Sequence, residues 1–138
     1  MQCKYELLFC FKYIIRYTNN KVLYNYIDSI ISLLMNIFIE QNISCNIKKL
    51  VLINILEIYK KRDDKNINFS LNKIDINALL KYYINIFEKR QESNLYPILL
   101  ETIILVGGYN EVLFNKILPD ILNYIINLYF FNLNWVLS

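Results

Sequence analysis

Apolar residues recur every three or four positions along most of this 138-residue chain, which is the spacing of helices with one buried face. The spacing predicts an N-terminal helix over residues 3–16 and further helices over residues 21–39, 44–61, 74–90 and 93–107. A last helical stretch is expected over residues 111–130. With Gly and Pro at two residues each, the composition also argues against a loop-rich β fold, so the pattern predicts an all-α protein.

Polar residues mark where these helices begin and end. Ser44, Asp75 and Ser93 each precede an apolar-periodic segment and are predicted N-caps. Gly107 follows another such segment and is expected in the left-handed conformation that often ends a helix. Residues 62–73 are polar and lose the helical period, so the pattern predicts a loop there, inserted between two helical units.

Two helical templates alternate along the chain. "MNIF" at 35–38 is echoed by "INIF" at 84–87, and placing Asn36 on Asn85 aligns the apolar positions of the two helices. Placing Asn46 on Asn94 aligns the helices that follow them, and a looser third copy places Asn85 on Asn127. Alternating templates at a period in the forties are typical of stacked helix-pair repeats, since one pair cannot bury its own apolar face.

The segments "NLYPILLETIILVGGYNEVLFNKILPDILNYIINLY" and "ISCNIKKLVLINILEIYKK" resemble HEAT and armadillo repeats. The resemblance implies an α-solenoid of stacked antiparallel helix pairs, forming one domain over residues 1–138. Its units would span approximately residues 20–61, 74–107 and 110–130, with the insertion at 62–73 between the first two.

The same resemblance implies a non-catalytic scaffold or adaptor that binds proteins, such as a segment of a transport receptor or an assembly factor. In this class the second helix of each pair lines a concave face that holds the partner. The polar positions on those helices are expected to stay exposed and to contact a protein partner: Lys48, Lys49, Asn54, Glu57, Tyr96 and Glu101.

Neither end of the chain has the polar outer face that a terminal repeat needs. The first helix carries Leu7, Phe9 and Ile14 among other apolar residues, and the chain ends in "LYFFNLNWVLS". The ends are therefore expected to contact further repeats or another subunit.

Charge and cysteine content narrow the partners and the compartment. Fifteen Lys and Arg against 12 Asp and Glu give a net charge of +3, without a basic stripe, so nucleic acid is not a favoured partner. Three cysteines without C-x-x-C spacing favour a reducing, intracellular compartment, cytoplasmic or nuclear. Asparagines within the apolar segment 121–137 argue against a membrane anchor.

The chain has no histidine, which removes the commonest general base and metal ligand. No phosphate-binding or paired-carboxylate motif replaces it, so the sequence predicts neither catalysis nor a cofactor. One alternative fold remains. A compact helical bundle, similar to the apoptosis-regulator-like proteins of poxviruses, would wrap helices around a central one and bind an amphipathic helix in a groove.

Overall fold

The structure, a computed structural model, describes residues 2–108, with side chains from residue 4, and beyond them only the helical positions 112, 115, 118–119, 122–123, 125–127 and 129–130. The expected unit at 110–130 and the apolar segment 121–137 therefore lie outside the continuously described part. That part is helical, without strands, which confirms the all-α class. Its helices are α1 (Gln2–Tyr17), α2 (Asn20–Leu23), α3 (Ile27–Ile39), α4 (Cys45–Tyr59), α5 (Lys65–Leu71), α6 (Ile76–Glu88) and α7 (Tyr96–Gly107).

Where a side chain can satisfy the first free N–H groups, the predicted helix starts are confirmed. Ser44 Oγ accepts from Ile47 N at 3.3 Å, and an Asp75 carboxylate oxygen accepts from Ala78 N at 3.1 Å. The predicted single helix over 21–39 is wrong, because Tyr26, at φ −122°, departs from helical geometry and separates α2 from α3.

The predicted loop at 62–73 is also wrong, because a short helix, α5, occupies most of it. Asp64 caps α5 by accepting from the main-chain N–H groups of Asn66 and Ile67 at 3.0 and 3.2 Å. Ile67 and Leu71, one turn apart, are both buried. The three apolar residues of α5, Ile67, Phe69 and Leu71, are spaced two apart, so the helical period does not reveal this helix.

The last described helix begins and ends differently from the prediction. Ser93 does not cap it and instead opens a 3-10 turn, Ser93–Leu95, after Glu92 takes a left-handed conformation at φ 52°. Pro97 lies in the first turn of α7, where its missing N–H costs nothing. Gly107 is still helical, and no glycine in the described residues has positive φ, so the predicted left-handed stop is wrong.

The helices pack in two layers. In the first layer α4 lies between α1 and α7, and in the second layer α3 packs on α4 while α6 packs on α7. The rings of Phe38 and Tyr82, with centroids 5.2 Å apart, join α3 to α6. The inserted α5 contacts α3 and α4. This packing is compatible with a helical repeat.

The two helix pairs match residue by residue. The helices α3 and α6 are both 13 residues long, and each residue of α3 has its equivalent 49 positions later. The helix α4 has its equivalent 48 positions later, in the 3-10 turn plus α7. The buried positions of α6 all correspond to buried positions of α3: Ile76, Leu79, Leu80, Tyr83 and Ile86 to Ile27, Ile30, Ile31, Leu34 and Ile37.

None of the helices in the described part of the chain combines the length and the apolar character needed to cross a membrane.

Candidate functional site

A groove of about 380 Å³ crosses the three helices of the first layer. Because α4 lies between α1 and α7, side chains from all three helices reach this one surface. The floor is apolar and the rim is charged. The residues that line the groove are Lys12 and Arg16 from α1, Ile53, Leu56, Glu57, Tyr59 and Lys60 in and next to α4, and Glu101 and Leu105 from α7.

The groove follows the one ridge of α4 that other helices leave uncovered. Since α1, α3, α5 and α7 all contact α4, buried residues cover most of its circumference. Lys49, Ile53, Leu56 and Lys60 recur at helical spacing, and each is exposed or half-buried. These four side chains form a ridge with a charged group at either end and apolar groups between.

One carboxylate at the edge of the groove is held between two cations. Glu57 is only 4% exposed, and its Oε1 lies 2.7 Å from Arg16 Nη2 and 3.0 Å from Lys60 Nζ. Its Oε2 also accepts from Arg16 Nε, at 3.3 Å, so the guanidinium binds both oxygens. This ion pair joins α1 to α4 and leaves one more positive charge than negative in the cluster.

The contacts within this cluster change the pKa values of both Glu57 and Arg16. The hydrogen bond from Arg16 lowers the pKa of Glu57 most, Lys60 lowers it further, and burial of the carboxyl opposes them. The pKa of Arg16 is raised, chiefly by the same hydrogen bond. Glu57 is therefore ionised at neutral pH.

The structure contradicts the predicted exposure of Lys48, because its side chain is buried. Its Nζ donates to the main-chain oxygen of Phe38, near the end of α3, and lies 4.6 Å and 4.5 Å from the ring centroids of Phe38 and Tyr82. Burial lowers the pKa of the amine. Lys48 thus stabilises the end of α3, where a cation is favoured by the helix dipole.

The predicted exposure of Asn54 and Glu57 is wrong for a related reason, since both side chains face α1. Asn54 Nδ2 donates to the Leu8 carbonyl at 2.9 Å and to the Leu50 carbonyl at 2.8 Å. Sequence spacing shows that a helix has an apolar and a polar face but does not show which other helices cover it. Among the described helices, α1, α3, α5 and α7 all pack against α4. Both polar residues therefore hold α1 on α4.

Tyr96 is buried as well, so its predicted exposure is wrong. Its hydroxyl donates to the Ile86 carbonyl at 3.1 Å, and its ring packs against Tyr83 and Phe87 with centroids 5.7 and 6.0 Å away. A tyrosine can bury its ring and still satisfy its hydroxyl, which a polarity pattern does not distinguish from an exposed residue.

Of the predicted partner-binding residues, Lys49 and Glu101 are exposed. Glu101 lines the groove, whereas Lys49 lies one turn before Ile53 on α4, beyond the residues that line it. Lys12, Arg16 and Lys60 also line the groove but were not among the residues predicted from the sequence. Lys12 and Arg16 lie one turn apart on α1, and that spacing could have indicated a shared basic side of the helix. Lys60 belongs to the charged run "KKRDDK", a pattern typical of a solvated helix end.

A second opening of about 650 Å³ lies between α3 and α6, the two helices of the second layer. Lys48 and Tyr82 line it, but their polar atoms are already engaged, Lys48 with Phe38 and Tyr82 as donor to Glu92. Within the described residues, no three His, Cys, Asp or Glu side chains are grouped so that they could hold a metal ion. The groove of the first layer is the preferred candidate for binding because side chains of three helices line it.

Comparison of the chain with protein-family models, with curated proteins and with solved structures found no match.

Proposed function

We propose that this chain is a non-catalytic scaffold of the HEAT or armadillo type, whose stacked helix pairs present the groove of the first layer to a protein partner. The observation that carries the proposal is the groove itself, where α1, α4 and α7 all contribute side chains to one surface. Such a surface is what the concave face of an α-solenoid supplies.

Equivalent hydrogen bonds in the two helix pairs support the repeat. Asn54 donates to the carbonyl of Leu50, four residues earlier, and the equivalent Thr102 donates to the carbonyl of Ile98, also four residues earlier, at 2.8 Å. Lys48 and its equivalent Tyr96 both reach a carbonyl near the end of the preceding second-layer helix. A bundle of unrelated helices does not require these correspondences.

The bundle alternative shares one feature with the structure, a central helix with several neighbours. In a solenoid, however, a middle helix of the first layer contacts its own pair partner and the helices on either side. That accounts for α3, α1 and α7 around α4, and the inserted α5 accounts for the fourth neighbour. The solenoid therefore explains the packing and the internal equivalence together.

The groove favours a partner segment with apolar and acidic side chains. Ile53, Leu56 and Leu105 offer an apolar floor, and Lys12, Arg16 and Lys60 offer positive charge at the rim. Complementary charge speeds association and fixes orientation, while buried apolar contact supplies most of the affinity. An intracellular location, cytoplasmic or nuclear, belongs to the same proposal.

Site-specific photo-cross-linking tests this function. A photoreactive amino acid at Glu101, which lines the groove and is exposed, should capture a partner that the same group at Phe69, an exposed residue of α5, does not capture. The captured protein, purified, should then bind the chain in calorimetry, and Lys12→Glu, which reverses a positive charge at the groove rim, should weaken that binding at least tenfold. Equal capture from both positions, or a Kd unchanged by the groove substitution, would refute the groove as the binding site.

A further inference from the structure

The outer face of α1, on the side away from α4, is crowded with exposed apolar side chains. On its inner side Leu8 and Ile15 are fully buried. The outer face, as used below, consists of side chains whose exposure runs from 39% to 76%: Tyr5, Leu7, Phe9, Tyr13, Ile14 and Tyr17. The groove lies beside this face, and Lys12 and Arg16 border the groove while lying over the Tyr13 ring.

Three aromatic residues one turn apart stack along the outer face. The Phe9 and Tyr13 rings meet edge-on with centroids 5.5 Å apart, and the Tyr13 and Tyr17 rings stack at 6.5 Å. Lys12 Nζ and the Arg16 guanidinium lie 5.4 and 5.5 Å from the Tyr13 centroid. Rings that already support one another lose little freedom on binding, and aromatic residues are enriched at the centres of interfaces.

The outer face is large enough for a stable contact. Large side chains of this kind bury roughly 150 to 250 Å² each, so six of them at about half exposure offer on the order of 600 Å² per copy. A standard interface takes about 800 Å² from each partner, and the rim beside the six residues can supply the difference. Exposed apolar surface of this extent on one helix is typical of an interaction site.

We propose that the outer face of α1 binds the same face of a second copy of this chain, with the two α1 helices antiparallel. Glu6 lies near the start of α1, and Lys12 and Arg16 lie near its end. In an antiparallel pair Glu6 of each copy comes level with Arg16 of the other, whose cluster with Glu57 and Lys60 keeps a net positive charge, and Phe9 comes level with Tyr13. A parallel pair would instead place like charges side by side and align the helix dipoles. The contact is therefore a two-fold one, with the same patch used twice.

Sedimentation equilibrium of the full chain tests the pairing. The unmodified chain should show a reversible monomer–dimer equilibrium. Tyr13→Glu should weaken the dimer at least tenfold, because it places a charge at the centre of the face. Phe69→Glu, at an aromatic residue of α5 that is 67% exposed, is the matched control and should leave the equilibrium unchanged.

Three outcomes would overturn the proposal. One is a chain that stays monomeric at every concentration reached, and another is equal weakening by both substitutions. The third is a monomer whose thermal midpoint falls with Tyr13→Glu and not with Phe69→Glu. That result would show that another part of the same molecule covers the outer face of α1.

Cross-linking fixes the orientation. In a Cys3→Ser, Cys45→Ser background the exposed Cys10, near the middle of α1, should be joined to its counterpart by a short bis-maleimide. A cysteine introduced by Tyr17→Cys, with Cys10→Ser, should not be joined to its counterpart, since the two positions would lie about 18 Å apart along antiparallel helices. Efficient cross-linking through position 17 would contradict the antiparallel arrangement.

Discussion

Lys48 and Tyr96 occupy equivalent positions in the two helix pairs, and both are buried with the polar end directed at a main-chain carbonyl. Lys48 Nζ donates to Phe38 O at the end of α3, and the Tyr96 hydroxyl donates to Ile86 O near the end of α6. The last carbonyls of a helix lack partners within it, so Lys48 satisfies Phe38 O, and the Tyr96 hydroxyl adds a second donor to Ile86 O beside the N–H of Gln91. Two different side chains thus donate to a carbonyl near the end of a second-layer helix in successive units.

Removing the Tyr96 hydroxyl should destabilise the fold by up to about 1 kcal/mol, because the Ile86 carbonyl loses one of two donors and keeps the N–H of Gln91 at 2.9 Å. Urea unfolding of Tyr96→Phe measures the effect. Tyr26→Phe, at a tyrosine that is 60% exposed, is the control and should leave the midpoint unchanged. Equal midpoints for both variants would mean that this hydrogen bond contributes nothing to stability.

Asn54→Ala should cost more than Thr102→Ala, although the two positions are equivalent. Asn54 joins α4 to the Leu8 carbonyl of α1, whereas Thr102 bonds only within its own helix. Leu8 and Leu50 lie within helices and keep their main-chain donors, and Asn54 Oδ1 is buried without a partner, so Asn54→Ala is expected to cost about 1 kcal/mol and Thr102→Ala less. Chemical denaturation of both variants measures the difference, and a larger loss for Thr102→Ala would contradict this account of the contact between α1 and α4.

Phe38→Ala should destabilise the chain by about 3 to 5 kcal/mol, the usual cost of removing a buried ring. Phe87 occupies the equivalent position in α6 but is only half-buried, so Phe87→Ala should cost less. Thermal unfolding of the two variants ranks them. If Phe87→Ala proved the more damaging, α6 would be more deeply covered than the described residues show.

The ion pair of Glu57 should make stability depend on pH in the acid range. Because the folded-state pKa of Glu57 lies below the ordinary value of 4.5, its contribution is fully present above that value and is lost as pH falls towards the folded pKa. Glu57→Gln should therefore be less stable than the unmodified chain at pH 7, and the gap should narrow below about pH 4. Denaturation midpoints across this range test the prediction, and a gap that widened with acid would have the wrong sign.

Sequence spacing predicted the class of fold and most helix positions, because apolar residues on α3 and α6 recur at the helical period and share one register. It failed where the outcome depends on three-dimensional neighbours. The burial of Asn54 and Glu57 follows from α1 lying on α4, a contact between residues about forty apart in sequence. Likewise the sequence did not predict Asp64 as an N-cap, because the short helix α5 that follows it was not predicted.

For the candidate site, Lys49 and Glu101 were predicted from their polarity on the second helices, and both are exposed. Lys12 and Arg16 were missed because the candidates were taken only from the helices predicted at 44–61 and 93–107, whereas the structure packs α1 against α4 and so brings both residues to the groove.

The layered packing requires that α4 separates α1 from α7, and the distance between α1 and α7 measures this separation. Spin labels at Lys12 and Glu101, in a cysteine-free background diluted with unlabelled protein, report that distance by double electron–electron resonance, and labels at Lys12 and Lys60 report the distance from α1 to α4. Neighbouring helices pack about 8 to 10 Å apart, and α1 and α7 are two such spacings apart. We therefore expect an α1–α7 separation of roughly 20 Å, clearly longer than the α1–α4 separation. Equal separations would show α1 and α7 closing on each other, as in a bundle, and would contradict the layered repeat.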